Sequence, residues 1–437
     1  MKKAFKFVFS LLAAAACAAA AGCADGGKST LLGKPATPSR LTYEEQSGKG
    51  FKEFIKKVEK FAGKFAESAY KNFESSKNTA YSPISAYMAL GLAAECADGE
   101  TRKELLSALG CDYAELKEYY SVLYRSLEVE HKRADSVTGV LNLSNSIWIN
   151  EGTQVNSSCI DSLSNGYYAY SYSADFLNGN AAANRAVRSF VKDRTKGLID
   201  KDFELSEQTL FALINTLYLK TVWNEEGEDI GFTDKKYTFV QGDGSEKTEK
   251  LLQGYYKSGR VYEGENYKTF YTSSYDGYKI KFILPADGRK LDDVMNAETL
   301  YEVSKKTDYN AYDDVNKIHY NTRCLFPEYR AEFDEEISKI LKNDFNLKTF
   351  FSSSCDFSAL TDESVLCSAV KHVTDLTVDK KGIEGAAVTV IGMDATSPAP
   401  GEKYEEVYSD FVVDGAFAYI ISDYNNVTLF SGVVNYI

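Results

Sequence analysis

Histidine is nearly missing from this chain: His131, His319 and His372 are the only three in 437 residues. A metal centre built on imidazoles therefore has few candidate ligands. Proline is scarce, with seven residues, and tryptophan occurs twice. Cysteine appears eight times, at 17, 23, 96, 111, 159, 324, 355 and 367, but never as Cys-x-x-Cys. That scatter excludes the dense disulfide framework of a small secreted module. Cys17 and Cys23 fall near the N-terminus; the other six read as small core hydrophobes, with a disulfide or two left open.

Positive charge is in deficit. Fifty Lys and Arg face 63 Asp and Glu, a net charge of -13. The balance argues against a general nucleic-acid binder, whose footprint is basic, although a local basic patch stays open. The short signatures of chemistry are missing as well. There is no Gly-x-x-x-x-Gly-Lys-Ser/Thr, no His-Glu-x-x-His and no Gly-x-Ser-x-Gly. Nothing in the sequence points to a cofactor, a metal or catalysis.

Long apolar runs are also absent. The one near the start, residues 7–16, follows Lys2, Lys3 and Lys6 and is too short to span a membrane. A positive start before a short apolar run predicts an export signal over residues 1–22. Ala20-Ala21-Gly22-Cys23 resembles a bacterial lipobox, with Ala20 where a large aliphatic residue is usual. Acylation at Cys23 and plain secretion are the two readings. Residues 23–47 are polar, carry glycines and include Pro35 and Pro38, so a flexible tether is expected.

A hydrophobic content of 44% supplies a large core. Phe51, Phe54, Ile55, Val58, Phe61, Ala62 and Phe65 recur at three- and four-residue steps among lysines, which predicts an amphipathic helix. Further helices are expected over 85–97, 100–109, 184–195 and 334–345. Strands are expected over 141–149, 210–223, 278–285 and 417–421. Helices lead, strands dominate later, and no linker interrupts residues 48–437. The pattern predicts one large mixed α+β domain.

Residues 380–397 stand out. They hold no proline, and Ile383, Gly385, Ala387, Thr389, Ile391 and Met393 alternate with a neighbouring set that includes Glu384 and Asp394. Period-two alternation suits a strand with one face inward and one wet. A permanent loop would gain nothing from it.

Collinear motifs then point to a family. Asn78-Thr-Ala-Tyr-Ser82-Pro83-Ile-Ser85, Gly99-Glu-Thr-Arg102, Ser144-Asn-Ser-Ile-Trp148 and Asn215-Thr-Leu-Tyr-Leu-Lys220-Thr-Val-Trp223 come first. Ile283-Leu-Pro285, Phe326-Pro-Glu-Tyr329, Asp356-Phe-Ser358 and Phe430-Ser-Gly432 also match, and the densest match runs from Val370-Lys-His372 to Gly382-Ile-Glu384-Gly-Ala386-Ala387. Over 48–437 the chain resembles a serpin. The resemblance implies helices packed around a large mixed main β-sheet with smaller sheets, and an exposed reactive-centre loop at about 382–410. It implies a hinge of Lys380, Gly382, Ile383, Glu384, Gly385, Ala386 and Ala387. Family spacing from Gly382 puts the reactive bond at Thr396-Ser397.

The resemblance also assigns Ser82, Ser85, Asn215 and His372 to a polar cluster beneath the opening sheet, and Trp223 to the point where insertion starts. Read alone, His372 is a satisfied core histidine and Trp223 a plain core aromatic. The implied function is an irreversible suicide-substrate inhibitor, with a target serine protease as covalent partner and no cofactor. A small residue before the cut suits an elastase-like target. A non-inhibitory serpin-fold surface or binding protein and a cysteine protease inhibitor are the alternatives. The expected setting is a monomer exported by a bacterium, touching membrane only through a lipid on Cys23. Lys380 stands where an acid is usual, Ile383 is bulkier than the customary Thr or Ser, and Gly385 replaces an alanine. The stretch from 397 to 417 is longer than in typical members.

Overall fold

The computed structural model describes residues 27–437 apart from 74–75, 134–135, 208, 225–229, 366–369 and 387–402. Helix α1 (Lys49–Asn72) buries Phe51, Phe54, Val58, Phe61 and Phe65 and leaves Lys52, Lys56, Lys60 and Lys64 exposed. Helix α2 (Pro83–Cys96) is buried almost all round, as its run of apolar residues requires. The next helix, Gly99–Leu109, stops at Gly110, whose φ of 71° is the left-handed stop that glycine takes at least cost. Helix α3 (Phe176–Arg194) starts on Asp175, whose carboxylate accepts from Asn178 N at 2.8 Å.

Nine strands position the site. They are β1 (Thr30–Gly33), β2 (Ser136–Asn150), β3 (Ala169–Ala174), β4 (Phe211–Val222) and β5 (Ile318–Phe326). The remainder are β6 (Tyr329–Glu336), β7 (Lys371–Val378), β8 (Gly382–Ala386) and β9 (Glu405–Val412). The main sheet runs β1-β3-β2-β4-β8-β7-β6, with Val129–Arg133 pairing off β2 as its eighth strand. A second sheet centres on β5, with β9 parallel on one side and Leu252–Gln253 and Lys257–Ser258 antiparallel to it. A third, six-stranded sheet holds Lys279–Pro285, Phe417–Ser422 and Thr428–Val434.

The main sheet is covered on both faces. Ile147 and Ile149 of β2 join the large core with α1 and α2, while Trp148 between them packs with Phe190 and Val187 of α3. Strand alternation thus divides one sequence between two cores. Helices packed on mixed sheets fit the α+β expectation. Strand β2 covers the run expected over 141–149, and β4 all but the end residues of that expected over 210–223.

Two expectations are corrected. The segment over 334–345 begins as strand, because β6 pairs with β7 through eight registered residues, from Tyr329↔Val378 to Glu336↔Lys371. Only Ser338–Asn343 is helical. The acidic run Asp334-Glu335-Glu336 imitates a helix start, but Tyr329, Ala331 and Phe333 bury one strand face and the ladder wins. The second correction concerns the tether. Thr30–Gly33 pairs antiparallel with β3, and Tyr43–Ser47 is a helix with a capping box from Thr42 and Glu45. The described part of residues 23–47 therefore belongs in large part to the folded body. Export signal 1–22, Cys17 and Cys23 lie outside the described residues.

Candidate functional site in the main sheet

Strand β8 stands between the upper ends of β4 and β7. It is antiparallel to both: Gly382↔Val222, Ile383↔Thr221 and Glu384↔Lys220 on one side, Thr377↔Glu384 and Val378↔Ile383 on the other. The segment that the resemblance makes the hinge is thus paired within the sheet from Gly382 to Glu384. A tight turn delivers it. Asp379 N donates to Gly382 O at 3.0 Å, and the Asp379 carboxylate accepts from Lys381 N at 2.8 Å and Gly382 N at 3.2 Å. Lys380 N donates to Glu328 Oε1 at 2.9 Å, so the position where an acid is usual is held through its backbone by an acid from elsewhere.

The two glycines of this segment have steric reasons. A Cβ on Gly382 would lie 1.9 Å from the Thr221 carbonyl oxygen, so only glycine fits between the strands there. A Cβ on Gly385 would meet Leu376 Cδ1 at 2.5 Å, which accounts for glycine where alanine is customary. Ile383 is 1% exposed, its bulk accepted by the core. Glu384 points the other way, to Lys220 Nζ at 3.4 Å and Tyr218 Oη at 3.3 Å. That pair is half exposed and holds the strand only weakly. Ile383 in, Glu384 out and Gly385 in follows the alternation expected of the sequence, but the register with β4 slips at Gly385, so that Ala386 rather than Gly385 pairs with Leu219.

Below β8, no pairing joins β4 to β7 among the described residues. A cavity of about 50 Å³ lies between them, with Ser82, Ser85, Asn215, His372 and Thr374 in its lining. It is roomy enough for a few water molecules at most. His372 is buried beneath it, and burial pushes its imidazole down to about 4. The neutral ring accepts from Ser82 N at Nε2, 3.1 Å away, which leaves the ring proton on Nδ1. Ser82 Oγ donates to Ser85 Oγ at 3.0 Å, and Phe65 meets the imidazole edge-on at 5.4 Å.

Asn215 departs from the expected cluster. It lines the cavity, but its Nδ2 donates to Asn145 Oδ1 on β2, and Asn145 in turn donates to Tyr120 Oη and Tyr167 O. The structure brings Ser82, Ser85 and His372 into one hydrogen-bonded group and places Asn215 in a neighbouring one. Trp223, at the top of β4, donates from Nε1 to Asp379 O at 2.7 Å and packs on Phe326 with centroids 5.6 Å apart. It fastens the hinge turn to β4.

Sequence reasoning missed Asp379, Glu328 and Asn145 as parts of this site. Asp379 and Glu328 lie inside quoted motifs; the Asp379 carboxylate caps its own turn, a local contact open to sequence reasoning, whereas Glu328 reaches Lys380 N only through tertiary approach. Ala387 and the Thr396-Ser397 bond lie outside the described residues.

The His372 environment carries a pH consequence. A pKa held near 4 in the fold against about 6.5 unfolded means that the unfolded chain binds the extra proton between those values. The stabilisation is complete above pH 6.5 and is lost as pH falls toward 4. His131 is lowered similarly by burial. His372→Gln keeps an acceptor for Ser82 N and removes one of the two titrations. Its loss of stability between pH 7 and 4.5 is expected to be smaller than the parent's by roughly 2–3 kcal/mol, read from urea midpoints. Parallel pH dependences would show that His372 is not held neutral.

Comparison with known proteins agrees with this geometry. The sequence model of the serpin family, described as serine protease inhibitor, matches residues 56–437. The chain belongs to the serpin family. Iripin-1 of Ixodes ricinus is 25% identical over 370 residues, covering 82% of this chain and 89% of that protein. Corticosteroid-binding globulin of Ovis aries is 25% identical over 383 residues, covering 85% and 83%. The native state of the thermophilic serpin Tengpin superposes with a TM-score of 0.71 at 20% identity, covering 94% of this chain and all of that one, which shows the shared fold. Among the described residues no helix is long and apolar enough to cross a membrane.

Proposed function

We propose that the chain is an irreversible suicide-substrate inhibitor of serine proteases, with an elastase-like target. The observation that carries this is β8: a strand already seated between β4 and β7, alternating inward and outward, at the root of a proline-free segment that continues the pattern. The protease serine oxygen attacks the Thr396 carbonyl carbon. The bond to the Ser397 nitrogen then breaks, that nitrogen takes a proton, and Thr396 remains esterified to the enzyme. Residues 387–396 add to the sheet between β4 and β7, an instance of strand addition, and carry the ester with them. Water would otherwise cleave the ester and free the protease, so insertion must come first.

Thr396, with Ala395 and Met393 before it, suits a small pocket; Lys403 lies seven residues past the cut and would suit a trypsin-like enzyme. Ile383 is the observation that favours a non-inhibitory protein, and its burial without displacement of β8 weighs against that reading. Capture of a cysteine protease would use the same insertion with a thioester. We place the protein outside the cytoplasm of a bacterium, held by a lipid on Cys23. Mass spectrometry of the mature N-terminus distinguishes this from plain secretion. Only six residues separate Cys23 from Thr30 of β1, so an anchored body would lie close to its membrane.

Incubation with pancreatic elastase and, separately, trypsin tests the proposal. Elastase is expected to lose activity while a C-terminal peptide beginning at Ser397 is formed. Trypsin is expected to stay active. Loss of trypsin activity with a new terminus after Lys403 would overturn the elastase assignment.

A further inference from the structure

Two of the cysteines touch. Cys96 ends helix α2 and is fully buried, and Cys159 lies in the first turn of the helix Ser157–Gly166 and is buried in the same core. Their thiols hydrogen-bond to each other. Other described cysteines are engaged elsewhere: Cys111 accepts from Tyr87 Oη at 3.8 Å, and Cys355 donates to Val365 O at 2.9 Å.

The surroundings fix this contact. Glu95, next to Cys96, accepts from Ser162 Oγ at 2.5 Å and from Tyr167 Oη at 2.9 Å. Ser162 follows Cys159 by three residues and so shares its helix face. Tyr113 Oη donates to the same carboxylate at 2.8 Å. From the other side, Ala36 N donates to Ser164 O at 2.9 Å. Strand β1 presses so close that a Cβ on Gly33 would meet Ile160 Cγ2 at 2.7 Å. The two helices are therefore held in one relative position where the thiols meet, and a bond between the sulfur atoms needs little movement of the backbone.

We infer that Cys96 and Cys159 form a disulfide when the chain meets a disulfide-carrying oxidant, closing a clasp between the end of α2 and the helix that leads into β3. The Cys159 thiolate attacks one sulfur of the oxidant, and the other sulfur leaves as a thiolate and takes a proton. Cys96 gives up its proton and attacks Cys159 Sγ, the mixed disulfide breaks, and the second oxidant sulfur leaves as a thiol. Two protein thiols are oxidised, and one disulfide is reduced to two thiols. In the closed fold the hydrogen bond to Cys159 and burial hold the Cys96 thiol well above the ordinary cysteine range, so it reacts only when the contact opens. The clasp closes residues 97–158 into a loop that contains the helices Gly99–Leu109 and Tyr113–Leu127 and strand β2. Its natural oxidant rests on the exported setting proposed above, since disulfides persist outside reducing compartments.

The test incubates the folded full chain with oxidised glutathione in urea just below the unfolding midpoint, where local opening admits the reagent. Remaining thiols are then alkylated under denaturing conditions and the peptides mapped by mass spectrometry. The expected product is one pair of peptides joined through Cys96 and Cys159. After removal of urea its melting temperature is expected to stand about 4 °C above that of the reduced chain and to fall back with dithiothreitol. Cys159→Ser is expected to show neither the joined pair nor the rise. Alkylation of both cysteines, glutathione left on Cys159 beside an alkylated Cys96, or a disulfide that joins other cysteines instead overturns the inference. Export is read separately from the mature N-terminus: its failure removes the natural oxidant and leaves the result of this experiment unchanged.

Discussion

Ala387→Pro is expected to turn the inhibitor into a substrate. By the period-two pattern of the sequence, Ala387 is the next inward position after Ile383 and Gly385 once the register slip between Glu384 and Ala386 is drawn out as the strand lengthens. Proline there removes a ladder donor and fixes a dihedral inside the inserting strand. The lost ladder bond, with its carbonyl partner left unpaired, costs about 1–3 kcal/mol and slows insertion roughly ten- to a hundredfold if it falls on the rate-limiting step. Deacylation then wins the race. Ala387→Glu reaches the same end by carrying an unpaired charge toward the core. Neither change touches Thr396-Ser397, so both variants are still cut there and release active enzyme. Val388→Glu is the control: with the slip at Gly385 drawn out, the sequence alternation puts Val388 on the wet face, and that variant is expected to keep trapping. If it fails as Ala387→Glu does, position rather than face decides, and the alternation argument is wrong.

A single verified cut in the loop is expected to raise the melting temperature by about 10 °C or more. In the uncut chain the loop is held at both ends, by β8 in the main sheet and by β9 in the second. Cutting frees one end and lets residues 387–396 become a central strand between β4 and β7, whose facing edges are otherwise unpaired with each other among the described residues. Ten residues adding at least one ladder bond each, at about 1 kcal/mol net, give on the order of 10 kcal/mol. For a chain of this size a kilocalorie moves the midpoint by roughly 1 °C. The uncut state persists through a kinetic barrier. An unchanged melting curve after cleavage would mean that the sheet does not admit the loop, which is the behaviour of a non-inhibitory member.

The hinge was the most legible part of the site. Its alternation and freedom from proline need nothing but the sequence, and the structure seats Ile383, Glu384 and Gly385 on the faces expected. The glycine at 382 was visible as a motif residue, but its reason, the Thr221 carbonyl 1.9 Å from where a Cβ would sit, belongs to the neighbouring strand. Asn215 shows the limit from the other side. Its motif placed it correctly in the cavity wall, yet a side-chain amide chooses among several partners in a crowded interior, and here Asn145 lies nearer to hand than His372. The helix Tyr113–Leu127 went unread although Asp112 and Glu115 form a capping box. The end of strand β6, Asp334–Glu336, was read as the start of a helix because local charge outweighed an alternation only eight residues long. Strand β1 was read as tether because four residues pairing with a distant edge leave almost no local trace.

The central claim is that a cut loop enters the main sheet before the trapped ester is hydrolysed. Mixing the parent protein with pancreatic elastase and running a denaturing gel tests it most directly. The account predicts a band at the sum of the protease and the cleaved inhibitor, stable to boiling and lost on treatment that hydrolyses esters. A gel showing only the cleaved protein beside fully active elastase would contradict it.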